Sequence, residues 1–179
     1  MNPTLNMDID HDSPVDAHIS GPLGELRDRL THDNAVISIV GLGYVGLPIA
    51  IAYASQGIRT NGIDLDPERV HQLNAGISFI QDVKSEDVKK TVDDKHFEAF
   101  DNFDCLAESD VIYICVPTPV TPHKDPDTRF ITSATESIAR HLHAGQLIIL
   151  KSTTFPNTTE ELVLPILESQ AQQVDLVLE

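Results

Sequence analysis

Apolar positions in this chain fall into short, dense runs separated by stretches in which apolar residues recur every three or four positions. The dense runs include Val36 to Val40, Val111 to Cys115 and Leu147 to Leu150, and they are rich in isoleucine and valine. Val111 to Cys115 and Leu147 to Leu150 are continuously apolar, which predicts parallel strands buried on both faces. On this pattern strands are expected at 36–40, 59–63, 96–100, 111–115, 147–150 and 174–178. Helices are expected at 44–56, 66–75, 85–93, 131–143 and 158–172. Alternating strands and helices joined by right-handed crossovers give an α/β fold: a doubly wound parallel sheet of six strands in a single domain over 23–179. Residues 1–22 are polar, contain three prolines and show no period, which predicts a disordered acidic tail. Leu23 to Leu30 predicts a short helix leading into the first strand.

The first strand runs into Gly41-Leu42-Gly43-Tyr44-Val45-Gly46, and an apolar, alanine-rich stretch of helical length follows. The second strand ends at Asp64. Strand, three glycines, helix and acid in this register form the dinucleotide-binding fingerprint of a Rossmann-type sheet. Gly41 permits the tight turn, Gly43 lets a pyrophosphate approach the backbone, and Gly46 lets the helix pack close to the strand. Phosphates then rest on free N–H groups at the helix N-terminus. Asp64 can accept hydrogen bonds from the adenosine ribose and repels a 2′-phosphate, so the expected cofactor is NAD. Arg69 can hold the adenosine side, and its charge tempers the case against NADP.

Charge narrows the partners further. With 28 acidic and 12 basic residues the net charge is -16, so no basic footprint exists for nucleic acid. No run reaches the roughly 18 apolar residues of a membrane span, and the first residues show neither the basic nor the apolar part of a secretory signal. Cys105 and Cys115 are the only cysteines. In a chain without such a signal they are expected as reduced thiols, which points to the cytoplasm.

Two further segments lie at expected strand ends. Val116-Pro117-Thr118-Pro119 follows the fourth strand, where the sheet's two halves meet and the nicotinamide ribose is expected. A rigid proline turn without ligand contact is the bland alternative. Lys151-Ser152-Thr153-Thr154-Phe155-Pro156-Asn157-Thr158-Thr159 follows the fifth strand. Ser152 and Thr153, at the strand tip, can bind a ligand or a water. Thr158 or Thr159 is the expected helix N-cap, with Glu161 nearby. Other chemistry finds little footing. Asp8, Asp10 and Asp12 alternate like a calcium loop, but Ser13 and Ile19 occupy the positions of its glycine and closing glutamate. His141 and His143 are two apart, a poor chelating pair that suits helix-dipole contacts. There is no Gly-x-Ser-x-Gly nucleophile elbow.

Gly-Leu-Gly-Tyr-Val-Gly-Leu-Pro, Gly-Ile-Asp-Leu-Asp, Cys-Val-Pro-Thr-Pro and Lys-Ser-Thr-Thr-Phe-Pro-Asn-Thr-Thr, in this order, resemble the N-terminal NAD-binding domain of the UDP-glucose/GDP-mannose dehydrogenase family over residues 23 to 178. The stretch 74–83 and the Leu-Pro-Ile-Leu-Glu helix look most like its UDP-N-acetylglucosamine 6-dehydrogenase branch. The resemblance implies oxidation of a nucleotide sugar at C6, from alcohol to carboxylate, with two NAD reduced and a cysteine capturing the aldehyde as a thiohemiacetal. It implies that Gly41 to Gly46 bind pyrophosphate, that Asp64 and Arg69 hold the adenosine side, and that Pro117, Thr118 and Ser152 line the nicotinamide half. Thr153 matches the family threonine that helps position the catalytic water.

The departures from the family pattern also have consequences. The family's glutamate, lysine, asparagine, cysteine and aspartate belong to later segments, and neither Cys105 nor Cys115 sits in such a context. The 179 residues are therefore expected to bind NAD without turnover. Asn157 replaces a glycine, a change that a left-handed turn tolerates. Lys151 stands where this branch often carries an acid. A sixth strand at the chain's end would leave apolar surface open to homodimerisation or to reduced solubility. The alternatives are a short NAD(H)-binding or regulatory module pairing with a full-length relative, and a dehydrogenase of the β-hydroxyacid type.

Overall fold

The computed structural model describes residues 20–32, 34–120, 126–174, 176 and 178. The predicted tail lies outside the described residues up to position 19. Its far boundary shifts, because Pro22 already opens helix α1 (Pro22–Thr31), with proline in the first turn where its missing N–H costs nothing.

Five strands follow: β1 (Ile37–Val40), β2 (Thr60–Ile63), β3 (Phe97–Phe100), β4 (Val111–Ile114) and β5 (Leu147–Leu150). Their order across the sheet is β3-β2-β1-β4-β5, and every neighbouring pair is parallel. The chain starts in the middle, winds outward through β2 and β3, then returns to place β4 on the other side of β1. That reversal leaves a crevice between the carboxyl ends of β1 and β4, where doubly wound sheets bind ligands.

Side-chain alternation along the strands divides the core in two. Ile37 and Ile39 face helices α2 (Gly46–Ser55), α3 (Pro67–Asn74) and α4 (Ser85–Asp93). Val40, Ile63, Ile112 and Ile114 face α5 (Arg129–Ala139) and α6 (Leu164–Ala171). Leu47, Ala50, Ile51 and Ala54 form the buried stripe of α2, at i, i+3, i+4 and i+7. Each fully buried leucine or isoleucine contributes about 1.5–3 kcal/mol. Helix α1 is fixed by Leu26 in the core and by Arg29, whose Nη1 lies 2.6 Å from an oxygen of buried Asp110. The other oxygen of Asp110 accepts the Val36 N–H at 2.8 Å, so one carboxylate ties α1 to the entry of β1.

Three expectations need correction. The sheet has five strands among the described residues, not six. Gln172–Val174 form a 3-10 turn, and the Leu176 N–H donates to the Ala171 carbonyl, closing α6 instead of joining a ladder. Positions 175 and 177 of the expected strand lie outside the described residues. Among the described residues β5 therefore has a single neighbour, β4, and its side chains are half-exposed, although its sequence reads as buried on both faces. The expected helix 158–172 is also not uniform. Thr159–Val163 make a π turn before α6, and the Leu164 N–H reaches back to the Thr159 carbonyl. Pro165 has no N–H for the carbonyl of Glu161, and the wider register absorbs that loss. The helix expected over 131–143 begins at Arg129 and ends at Ala139.

Candidate functional site: the carboxyl edge of the sheet

The glycine loop meets three separate steric demands. Gly41 has φ +96°, and a Cβ there would lie 2.7 Å from the carbonyl oxygen of Cys115, so β1 and β4 meet through bare backbone. A Cβ on Gly46 would overlap the carbonyl oxygen of Gly41, which is how closely α2 approaches the strand. A Cβ on Gly43 would meet nothing within 4 Å. That position faces open space. Helix α2 starts at Gly46, two residues later than the pattern predicts. Gly43, Tyr44 and Val45 form the turn before it, and their N–H groups have no acceptor among the described residues. Tyr44 and Val45 are exposed. Free amides in front of a helix, beside a residue with no side chain, suit a pyrophosphate.

Asp64 lies where β2 ends, and its side chain is 12% exposed. One oxygen accepts the Leu42 N–H at 3.2 Å and the other the Asp66 N–H at 3.0 Å, so this carboxylate joins the glycine loop to the turn into α3. Each oxygen keeps a lone pair for a hydroxyl donor. Arg69 Nη1 stands 3.6 Å from Asp64 and its Nε 3.4 Å from Asp66, while its guanidinium lies 5.2 Å over the Phe79 ring. Asp66 and Phe79 thus join the residues expected from the sequence at this end of the site. Asp66 was legible as an N-cap before proline, and its side chain accepts the Glu68 N–H. Phe79 lies in the 74–83 stretch that carries the branch resemblance, but nothing local signals its contact with Arg69, which the return of the 75–84 loop creates.

The loops after β4 and β5 are bonded to each other. Lys151 and Ser152 both donate their N–H groups to the Ile114 carbonyl. The Ser152 hydroxyl donates to the Val116 carbonyl at 2.8 Å, and the Thr118 hydroxyl donates to the Thr153 carbonyl at 2.6 Å. Thr153 is exposed, and its own hydroxyl has no partner among the described residues. Pro117 is exposed beside it. Beyond Val120, which bridges back to Pro126, residues 121–125 lie outside the described residues. Asn157 holds φ +67°, the left-handed turn expected of it. Thr158 occupies the N-cap position without capping: its hydroxyl donates to the Phe155 carbonyl at 2.8 Å and accepts no helix amide.

The cysteines stay outside this chemistry. Burial pushes the Cys105 thiol from its ordinary 9.0 up to about 11. Burial does the same to Cys115, also to about 11, against a smaller opposing pull from the Lys151 ammonium. Neither thiol is poised as a nucleophile. His141 and His143 lie in the turn after α5, and among the described residues no group of three or more histidines, cysteines or carboxylates could hold a metal. No described helix is long and apolar enough to cross a membrane. Two shallow surface grooves, beside α1 and between α5 and α6, lie away from the carboxyl edge.

Comparison with known proteins adds the family. Residues 35–178 match the UDP-glucose/GDP-mannose dehydrogenase family, NAD binding domain. The chain belongs to this family. Its cofactor is accordingly NAD, and the open Gly43 backbone, the free amides beside it and the Asp64 carboxylate fit a dinucleotide. Among relatives, the UDP-N-acetyl-D-glucosamine 6-dehydrogenase of Pseudomonas aeruginosa is 34% identical over 132 residues, which are 74% of this chain and 30% of that protein. The UDP-N-acetyl-D-mannosamine dehydrogenase of Escherichia coli K12 is 37% identical over 129 residues, 72% of this chain and 30% of that protein. The solved UDP-glucose dehydrogenase of Pyrobaculum islandicum superposes with a TM-score of 0.72 at 31% identity, covering 76% of this chain and 33% of that one. The chain thus spans about a third of the length of these family members.

Proposed function

We propose that this chain is the NAD-binding part of a nucleotide-sugar 6-dehydrogenase that oxidises the C6 alcohol of a UDP-sugar to a carboxylate, with a UDP-N-acetylhexosamine as the substrate. The observation that carries the proposal is the pairing of the open, amide-lined Gly43 turn with the Asp64 carboxylate one strand away. The amides of Gly43, Tyr44 and Val45 hold the pyrophosphate. Asp64 accepts from the ribose hydroxyls and, as an anion, disfavours a 2′-phosphate. Arg69, held between Asp64 and Asp66, borders the adenosine side. Pro117, Thr118 and Ser152 border the nicotinamide half. Bound NAD⁺ supplies the hydride acceptor. Thr153 offers a hydroxyl that orients water without changing its own protonation, a positioning role and not that of a base.

These residues bind and orient; none of them captures an aldehyde. Both thiols are held neutral near neutral pH, and Cys115 is buried in the core. The 179 residues alone are therefore proposed to bind NAD⁺ without turning over sugar. Calorimetric titration with NAD⁺ and NADP⁺ tests the assignment: NAD⁺ should bind, and NADP⁺ should bind more weakly. Equal affinities would remove the role given to Asp64, and absence of binding to either would remove the site.

A further inference from the structure

Two hydroxyls at the carboxyl edge cross between loops in opposite directions. Ser152, after β5, donates to the Val116 carbonyl after β4, while Thr118, after β4, donates to the Thr153 carbonyl after β5. Together with the two N–H bonds from Lys151 and Ser152 to Ile114, they extend the β4–β5 pairing beyond the last strand residues. Accepting the NAD assignment of this edge, we infer that Thr118 and Ser152 form a reciprocal clasp that fixes Thr153 and the nicotinamide-side wall, so that Thr118 acts as a positioning residue.

Three observations support the clasp. Each hydroxyl commits its single proton to the opposite loop, Thr118 to the Thr153 carbonyl and Ser152 to the Val116 carbonyl, with the Ile114 carbonyl a longer 3.3 Å from Ser152, so towards a ligand both hydroxyls act only as acceptors. Thr153 directly follows Ser152 in sequence, with its own carbonyl held by Thr118 and its hydroxyl unpartnered among the described residues. Among the described residues β5 pairs with β4 alone, so the cross-bonds to the loop after β4 are what tie the loop after β5 to its neighbour. Without the cross-bonds, the segment around Thr153 would be tied to β4 through Ile114 alone, with the Thr154–Thr158 hydroxyl pair as a bond inside its own loop. A loop held at one residue samples many more conformations than one held at three, and ordering it on binding costs affinity.

The clasp predicts a loss confined to one end of the cofactor. Thr118→Val keeps the shape but removes the proton, and Thr118→Ser keeps the proton. Binding of NAD⁺ and of ADP-ribose, which lacks the nicotinamide, is measured by calorimetry for all three proteins, with thermal melts to confirm folding. NAD⁺ affinity of Thr118→Val should fall about three- to tenfold, ADP-ribose affinity should stay at the parent value, and Thr118→Ser should restore NAD⁺ binding. Unchanged NAD⁺ binding in the valine variant, or equal losses for both ligands, would overturn the clasp. If Thr118→Val fails to fold, Ser152→Ala tests the other bond with the same two ligands and the same criterion. Failure of the parent chain to bind either ligand would instead strike the NAD assignment, and the clasp with it.

Discussion

Gly43 and Gly46 are three residues apart in one motif, yet different forces require them. At Gly46 the constraint is internal, since a methyl group would overlap the Gly41 carbonyl. Gly46→Ala should therefore cost about 1–3 kcal/mol in overpacking, visible as a lower urea midpoint before any ligand is added. At Gly43 the space is open. Gly43→Ala should leave the urea midpoint unchanged while NAD⁺ affinity falls on the order of tenfold, about 1.4 kcal/mol; a destabilised but binding-competent variant would contradict this division. Asp64→Ala removes a charged acceptor, so NAD⁺ binding by calorimetry should weaken by about 1–2 kcal/mol. An unchanged affinity would sink the ribose role. The thiols give a pH prediction. Burial raises both from 9.0 to about 11, so the unfolded chain loses these protons first as pH rises. Their stabilising contribution is complete below about pH 9 and is lost by about pH 11. Iodoacetamide should label the folded protein slowly at pH 8 and rapidly once urea exposes both cysteines; fast labelling of the native state at pH 8 would show an accessible thiolate.

At the scale of elements, periodicity located most helices and strands, and the misses have local causes. Helix α2 starts late because the residues before it form the glycine turn, whose geometry depends on contact with β4. The π turn at Thr159–Val163 follows from Pro165, which the sequence displayed but whose effect on register required the neighbouring turn. Helix α1 was visible as a short apolar stripe. Its attachment was not, because Arg29 and Asp110 are far apart in sequence and meet only when α1 packs against the sheet. Arg29→Ala leaves buried Asp110 with the Val36 amide as its remaining side-chain partner. The expected cost is about 1–3 kcal/mol, towards the lower end because Arg29 is 44% exposed and solvent screens the pair. Urea denaturation checks it, and an unchanged midpoint would mean that α1 is held by Leu26 alone.

For the whole molecule, cofactor binding and chemistry are proposed to separate. The described residues supply a dinucleotide edge, and both thiols are held neutral by burial, so incubation with NAD⁺ and UDP-N-acetylhexosamines should yield no NADH at 340 nm. Persistent NADH formation by rigorously purified chain would refute the proposed division of labour. What the sequence determined by itself was whatever depends on local spacing: the α/β alternation, the glycine turn, Asp64 at the end of β2, the left-handed Asn157 and the family. These follow from backbone sterics and from the periods of strand and helix, which act over a few residues. The tertiary structure alone decided what depends on neighbours distant in the chain. It left β5 with β4 as its single neighbour among the described residues, turned Leu176 back onto α6, placed Phe79 beneath Arg69, and joined Thr118 to Thr153 across the crevice. An apolar run such as Leu147–Leu150 reads the same with one neighbouring strand or two, because its side chains record a preference for burial and not which segment will satisfy it.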